Sequence, residues 1–274
     1  MFKDLWLDWL RDELKLMTTD ENREKVTELF EKAISDYLSP GIWLEFIQFS
    51  IGEMGKPNGI EKIRSVCERG IHFAGLHVTK GYCLWEAYRE FESAILSGLQ
   101  ASFAGSVQNE QQTQQLNEQI GRIVSIFKRQ INVCLDNTEA TFNELKEFDD
   151  SFIDEELTKA RTKTLLEYQK LLPFEMALGS LSVDEVKKLA EYKSYLEFEI
   201  KNYKHKNPLA GVKNMKQNGK HKKDENEEAN PEELEQHSLR IKCLFERAIA
   251  NNSNCLDAAL WLKYIYFLVR LLFI

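Results

Sequence analysis

Gly52, Gly55, Lys56 and Gly59 crowd into eight residues, the composition of a phosphate-cradling loop. A Walker A loop needs glycine, four residues, then Gly-Lys-Ser/Thr, so that backbone N–H groups ring the phosphates and a hydroxyl meets magnesium. Here position 50 is serine and Pro57 follows the lysine. The pattern fails, and a turn between two helices accounts for the glycines. His72 and His77 stand five residues apart with no cysteine or carboxylate at ligand spacing, and no His-Glu-x-x-His occurs. They read as ordinary surface or interhelix residues. Carboxylates such as Glu90 and Glu92 are common on helices and lack the pairing that general acid–base work requires. No Gly-x-Ser-x-Gly elbow presents a nucleophile.

The five cysteines (Cys67, Cys83, Cys134, Cys243, Cys255) are odd in number, scattered and free of any Cys-x-x-Cys. That pattern reads as reduced thiols in a cytosolic or nuclear protein. Cys67 and Cys243 fall on an apolar helix face, where cysteine serves as a small hydrophobe. No catalytic, cofactor or metal site is expected.

Charge bounds the partners. With 36 Lys and Arg against 44 Asp and Glu, a net charge of −8 over 274 residues excludes a surface that grips phosphate backbones everywhere. One local exception is Lys201 to Lys223, with eight lysines, followed by seven acids from Asp224 to Glu235. Lys220, Lys222 and Lys223 are its candidate nuclear-localisation or RNA-contact residues. The N-terminus has acids in its first turns and no long apolar run, so it is not a signal peptide. Lys263 and Arg270 interrupt the apolar stretch Leu260 to Ile274, which is shorter than the ~20 residues of a membrane span.

The elements that position these residues announce themselves by repetition. Only 13 glycines and 5 prolines punctuate the chain, against an all-β fold. Aromatics recur at i, i+3 and i+6: Trp43, Phe46, Phe49; Trp85, Tyr88, Phe91; Tyr192, Tyr195, Phe198; Trp261, Tyr264, Phe267. Weaker copies are Phe142, Leu145, Phe148 and the opening Trp6, Trp9. Each triplet makes one stripe on a helix, termed A. A second face follows at i, i+3, i+4, i+7: Val26, Leu29, Phe30, Ala33; Ile63, Val66, Cys67, Gly70; and Ile241, Leu244, Phe245, Ala248. In helix B the last position is small, except where Ile123, Ile126, Phe127 end in Gln130. Opposite charges sit beside it: Glu31-Lys32, Glu68-Arg69, Glu246-Arg247. All these stripes are assigned to the core.

The spacing is regular. Trp6 to Phe30 and Trp43 to Cys67 are both 24 residues, and the same step from Phe142 lands on Leu166. Trp85 to Phe127 takes 42 and Tyr192 to Phe245 takes 53, each excess coinciding with a polar insertion. The reading is an all-α, right-handed helical-repeat solenoid of antiparallel pairs over residues 1–274, about five and a half repeats long. Insertions 98–119 and 201–237 are expected as disordered loops. The last A helix should start near Ala258, with its B partner falling beyond Ile274, so the chain is expected to stop within a repeat.

Trp85-Glu-Ala-Tyr88-Arg-Glu-Phe91-Glu92 with Glu246-Arg247-Ala248 resembles half-a-TPR (HAT) repeats of RNA-processing scaffolds. Gly75 to Gly81, Leu84 to Ile95, Leu29 to Ala33 with Asp36-Tyr37, Ile42 to Glu45, and Glu139 to Phe142 are similar to the spliceosome-recycling branch. That resemblance implies a non-enzymatic nuclear scaffold for pre-mRNA splicing and reassembly of the U4/U6 small nuclear ribonucleoprotein. Its partners would be spliceosomal ribonucleoprotein proteins and ubiquitin hydrolases. In that branch a second repeat block, which dimerises and binds the hydrolases, and RNA-recognition motifs follow. No ribonucleoprotein signature occurs in this sequence, so U6 RNA binding does not carry over and any RNA contact is expected to be weak or indirect; dimerisation, which the resemblance ties to the second block, is not expected of this sequence. A HAT scaffold of pre-mRNA cleavage or early splice-site recognition, or direct RNA contact through the lysine insertion, are the alternatives.

Overall fold

Helix boundaries follow local signals. A computed structural model describes residues 2–104, 109–180, 184–207, 230–251 and 256–272. Eleven α-helices occur among them: α1 (Phe2–Leu16), α2 (Asp20–Asp36), α3 (Pro40–Ile51), α4 (Gly59–Phe73), α5 (Tyr82–Phe103), α6 (Glu110–Ile131), α7 (Thr138–Asp149), α8 (Glu155–Ser180), α9 (Glu185–Lys206), α10 (Pro231–Ile249) and α11 (Ala258–Leu272). Thr19 caps α2 by accepting from the Asn22 amide at 3.2 Å. Pro40 and Pro231 open α3 and α10, where a missing N–H costs nothing. Asn109 and Gln112 close a capping box on α6. Residues 52–58 form the turn between α3 and α4.

Odd-numbered helices are the A helices and even-numbered ones the B helices. The described residues fall into two compact units, Met1–Leu172 and Pro173–Ile274, where one array was expected. In the first unit α3 and α5 each pack against the B helix before and the B helix after. In the second α10 packs against α9 and α11.

One packing unit recurs. The aromatic of a B helix stacks on the second and third triplet positions of the next A helix: Phe30 on Phe46 and Phe49 (4.9 and 5.2 Å), Phe245 on Tyr264 and Phe267 (4.8 and 5.7 Å). Phe174 of α8 does the same to Tyr195 and Phe198 (4.8 and 5.2 Å). This corrects the 24-residue step: Leu166 is exposed, and Phe174 holds the place assigned to it. The inward face of α8 runs through Leu157, Thr164, Leu171 and Leu178, at a spacing of seven.

The insertion at 98–119 is also corrected. α5 continues to Phe103 and α6 begins at Glu110, because Leu96, Leu116, Ile120 and Ile123 share one apolar cluster. Glutamine is a good helix former, so a Gln-rich stretch lengthens the pair. Likewise residues 201–206 extend α9, and Pro231 to His237 belong to α10. Lys220, Lys222, Lys223 and Cys255 lie outside the described residues.

The turn from α4 to α5 is closed and buried. Trp85 Nε1 donates to the Gly75 carbonyl at 3.1 Å, and a Cβ on Gly75 would run into the Ile71 carbonyl. One on Gly81 would meet the Gly75 carbonyl. His77, expected at a surface or between helices, is buried in this turn. The Asp136 amide ties it to the next such turn through the Val78 carbonyl at 3.0 Å.

Candidate interaction surface

Two relations fix each B helix on its neighbours. The first is a notch. Gly70 faces Trp43 and Ile47 so closely that a Cβ there would sit 3.3 Å from Trp43 Cε3 and 3.4 Å from Ile47 Cδ1. Ala33 and Ala248, fully buried, hold the same register in α2 and α10. One repeat on, Gln130 replaces the small residue and Arg89 replaces Ile47, and Arg89 donates to Gln130. Arg89 also lies 4.4 Å from the Phe127 ring centre and bonds Glu144 at 2.7 Å. Burial lowers the Arg89 pKa while Glu144 opposes that shift.

The second relation is a ladder. The glutamate directly after the B-helix aromatic position takes a bidentate arginine from the next arginine-bearing B helix: Glu31 from Arg69 (2.8 and 2.6 Å), Glu68 from Arg129 (2.8 and 2.8 Å), Glu175 from Arg247 (2.7 and 2.8 Å). In every rung the arginine stands two residues after its own aromatic position, at Cys67, Phe127 and Phe245. Arg69 and Arg129 also cover Trp43 and Trp85, at 5.4 and 5.5 Å. The bond to Glu31 raises the Arg69 pKa, and the bond to Glu68 raises that of Arg129. Glu68 is lowered by its bond to Arg129 against burial. Around Arg247 burial opposes the charge and Glu175 outweighs it. A tyrosine of the next A helix bonds two of these acceptors, Tyr88 with Glu68 and Tyr195 with Glu175 at 3.1 Å, and Tyr264 bonds Glu246 in the same register, whereas α3 carries Phe46 at that position. Burial raises the pKa of all three hydroxyls.

Most singled-out positions lie inside: Phe30, Trp43, Phe46, Cys67, Gly70, Trp85, Tyr88, Phe91, Phe127, Phe142, Tyr192, Tyr195, Phe245, Tyr264 and Phe267 are buried. Trp6, Phe49 and Phe198 are half-buried. Trp9, Phe148 and Trp261 correct the assignment, for they are exposed while Leu10, Leu145 and Leu260 take the inner places.

Sequence reading missed two buried polar clusters. Glu92, fully buried, accepts from Arg64 at 2.7 and 2.9 Å and from Gln119 at 2.7 Å. Glu199 accepts from Arg240 at 3.2 Å and lies 2.5 Å from His237 Nε2. Burial would raise the Glu199 pKa, but Arg240 and His237 bring it below its ordinary value. Burial lowers that of His237. Cys67 and Cys243 are pushed up to about 12 by burial and stay protonated. No group of three His, Cys, Asp or Glu among the described residues could hold a metal ion. What the arrangement offers is the same register turned outward on several A helices, as at Gln48 of α3, Glu90 of α5 and Glu197 of α9.

The chain is 36% identical over 268 residues to spliceosome associated factor 3, U4/U6 recycling protein, of Homo sapiens, covering 98% of this chain and 22% of the relative. The Danio rerio protein of that name is 41% identical over 268 residues, covering 98% and 24%. The chain thus spans about a quarter of the length of the curated relatives it matches. The family description PRP39 N-terminal HAT repeat matches residues 6–147, just over half of the sequence, over the same helices in which notch and ladder recur. This chain belongs to the HAT-repeat family.

Proposed function

We propose that the chain is a non-enzymatic protein-interaction scaffold in nuclear pre-mRNA splicing, serving reassembly of the U4/U6 small nuclear ribonucleoprotein. The observation that carries this reading is its likeness, over 98% of its length, to proteins named for U4/U6 recycling. The helix pairs support it physically. Repeats that touch their neighbours build a surface from successive helices, and rungs such as Arg129–Glu68 tie one B helix to the next beneath it. A partner then reads outward side chains by many modest contacts. Spliceosomal ribonucleoprotein proteins are the partners this reading names, ubiquitin hydrolases a second class, and the nucleus the compartment.

Pull-down from nuclear extract with the purified chain as bait, with and without ribonuclease, tests it by mass spectrometry. Splicing-particle proteins retained after ribonuclease are the expected result. Retention lost with ribonuclease points to RNA contact through the lysine-rich segment, and absence of any splicing protein refutes the reading.

A further inference from the structure

The outer seam between α9 and α11 starts with opposite charges and ends with like ones. Lys193 bonds Asp257, just ahead of α11, at 2.7 Å, and Glu197 takes Lys263 at 2.9 Å. Further along, the rings of Tyr203 and Phe267 meet with centres 6.3 Å apart. Contacts that advance together along both helices make them parallel neighbours. Lys204 and Arg270 stand seven residues beyond the Glu197–Lys263 pair, about two turns on and so on the same face. Lys201 and Tyr266 fall between, one on each helix.

Tyr266 and Arg270 hold the places of Gln48 and Gly52 in α3 and of Glu90 and Ala94 in α5. Those four are exposed although a B helix packs on either side of α3 and of α5. The openness of the seam therefore belongs to the register and does not depend on what covers α11. In α1 the same two places hold Arg11 and Lys15, and each is paired, with Glu45 at 2.7 Å and with Asp12 at 3.0 Å. Lys201, Lys204 and Arg270 are exposed and have no carboxylate partner among the described residues. Tyr266 is 59% exposed, and the Arg270 guanidinium lies 4.7 Å from its ring centre.

Three cations grouped around an open aromatic ring specify an occupant that carries both negative charge and a flat apolar face. An acidic peptide would meet the cations and leave Tyr266 idle. A polynucleotide strand uses both, its phosphates on the cations and an unpaired base on the ring. We propose that the α9–α11 seam at Lys201, Lys204, Tyr266 and Arg270 binds single-stranded nucleic acid. With a net charge of −8 over the chain, the rest of the surface repels a strand, so the contact is local, of modest affinity and sensitive to salt. It is independent of which particle the scaffold serves.

The probe is a labelled single strand of about 12 uridines, titrated into the intact chain and followed by fluorescence anisotropy at several salt concentrations. Saturable binding with a Kd of about 1–100 µM near physiological salt is expected. Lys204→Gln and Arg270→Gln should each weaken it about fivefold and flatten the logarithmic salt slope by about 0.7, the loss of one phosphate contact. Tyr266→Ala should weaken it about tenfold and leave the slope unchanged. Lys32→Gln, an equal change of charge at an exposed position of α2, should do nothing. All four side chains are exposed, so the variants should keep the native circular dichroism, which is measured alongside. A thymidine strand should bind equally, from stacking and charge alone, and a duplex of the same length more weakly. Absence of saturable binding to the native chain, or a duplex that binds as tightly as the strand, overturns the proposal. So does an oligoglutamate peptide that displaces the strand while Tyr266→Ala has no effect, which would assign the seam to an acidic protein segment. Strand binding indifferent to Lys204→Gln and Arg270→Gln together also overturns it, by moving the contact away from the seam.

Discussion

Arg89 of α5 and Gln130 of α6 occupy the two registers that Ile47 and Gly70 fill one repeat earlier, and they are hydrogen-bonded to each other. A close apolar approach has been exchanged for a buried polar pair, with both members changed together. Arg89→Leu leaves the Gln130 carbonyl oxygen without this donor, and Gln130→Ala removes an acceptor from a buried cation. Each should cost about 1–3 kcal/mol. Arg89→Ile with Gln130→Gly restores the apolar solution and should cost less than the sum, as read by a double-mutant cycle in urea.

The rungs of the ladder should differ in strength although their bonding is the same. Arg129 and Glu68 are both more than a third exposed, so Arg129→Ala should cost under about 1 kcal/mol and less in high salt. Arg247 and Glu175 are nearly buried, and Arg247→Ala should cost about 3–5 kcal/mol by stranding a carboxylate. Denaturant midpoints at low and high salt distinguish the two.

Acid should loosen α9 from α10 before it reaches most carboxylates. Burial holds His237 below the ordinary histidine value of 6.5, so below that value the unfolded chain takes up a proton that the folded chain refuses. Its contribution is complete above pH of about 6.5 and is lost progressively as pH falls toward the lower folded value. Glu199, lowered by Arg240 and His237, adds a later loss below its ordinary 4.5. Urea midpoints of the chain should drop between pH 7.5 and 5, with a shallower slope in His237→Gln. Equal slopes would remove His237 from the account.

Aromatic truncations should separate along the same register. Trp43→Ala and Trp85→Ala empty closed sites and should each cost about 3–5 kcal/mol. Trp261→Ala should cost about 1 kcal/mol or less, because water already reaches that ring. Thermal melts showing equal losses would contradict the packing described for α11.

Reading the sequence found the repeat because the aromatic triplet survives in four copies and the 24-residue step in two. It misplaced the middle B helix because α8 carries Thr164 and Glu175 on its inward side, so hydrophobic counting stopped at Leu165 and Leu166. Gln119 vanished into a Gln-rich stretch, although its partner Glu92 was in view. The Glu-Arg neighbours were visible, but the partners of Glu31, Glu68 and Glu175 lie 38, 61 and 72 residues further along. Local periodicity cannot register a contact between repeats. Conversely Trp9 and Phe148 show that a stripe wider than its neighbour leaves its margin in water.

The closed turn from Gly75 to Gly81 makes the first unit asymmetric in how it can change length. That turn has no room for a methyl group at either glycine and is bonded to the next turn through Val78 and Asp136. At the opposite rim α5 and α6 have grown to 22 residues each, against 12 and 15 in α3 and α4, with their shared face intact. Genetic drift in loop length, and equally an epitope tag or fluorescent reporter placed by design, should meet a tolerant rim at the α5–α6 end of this unit and a closed one at the Gly75–Gly81 turn.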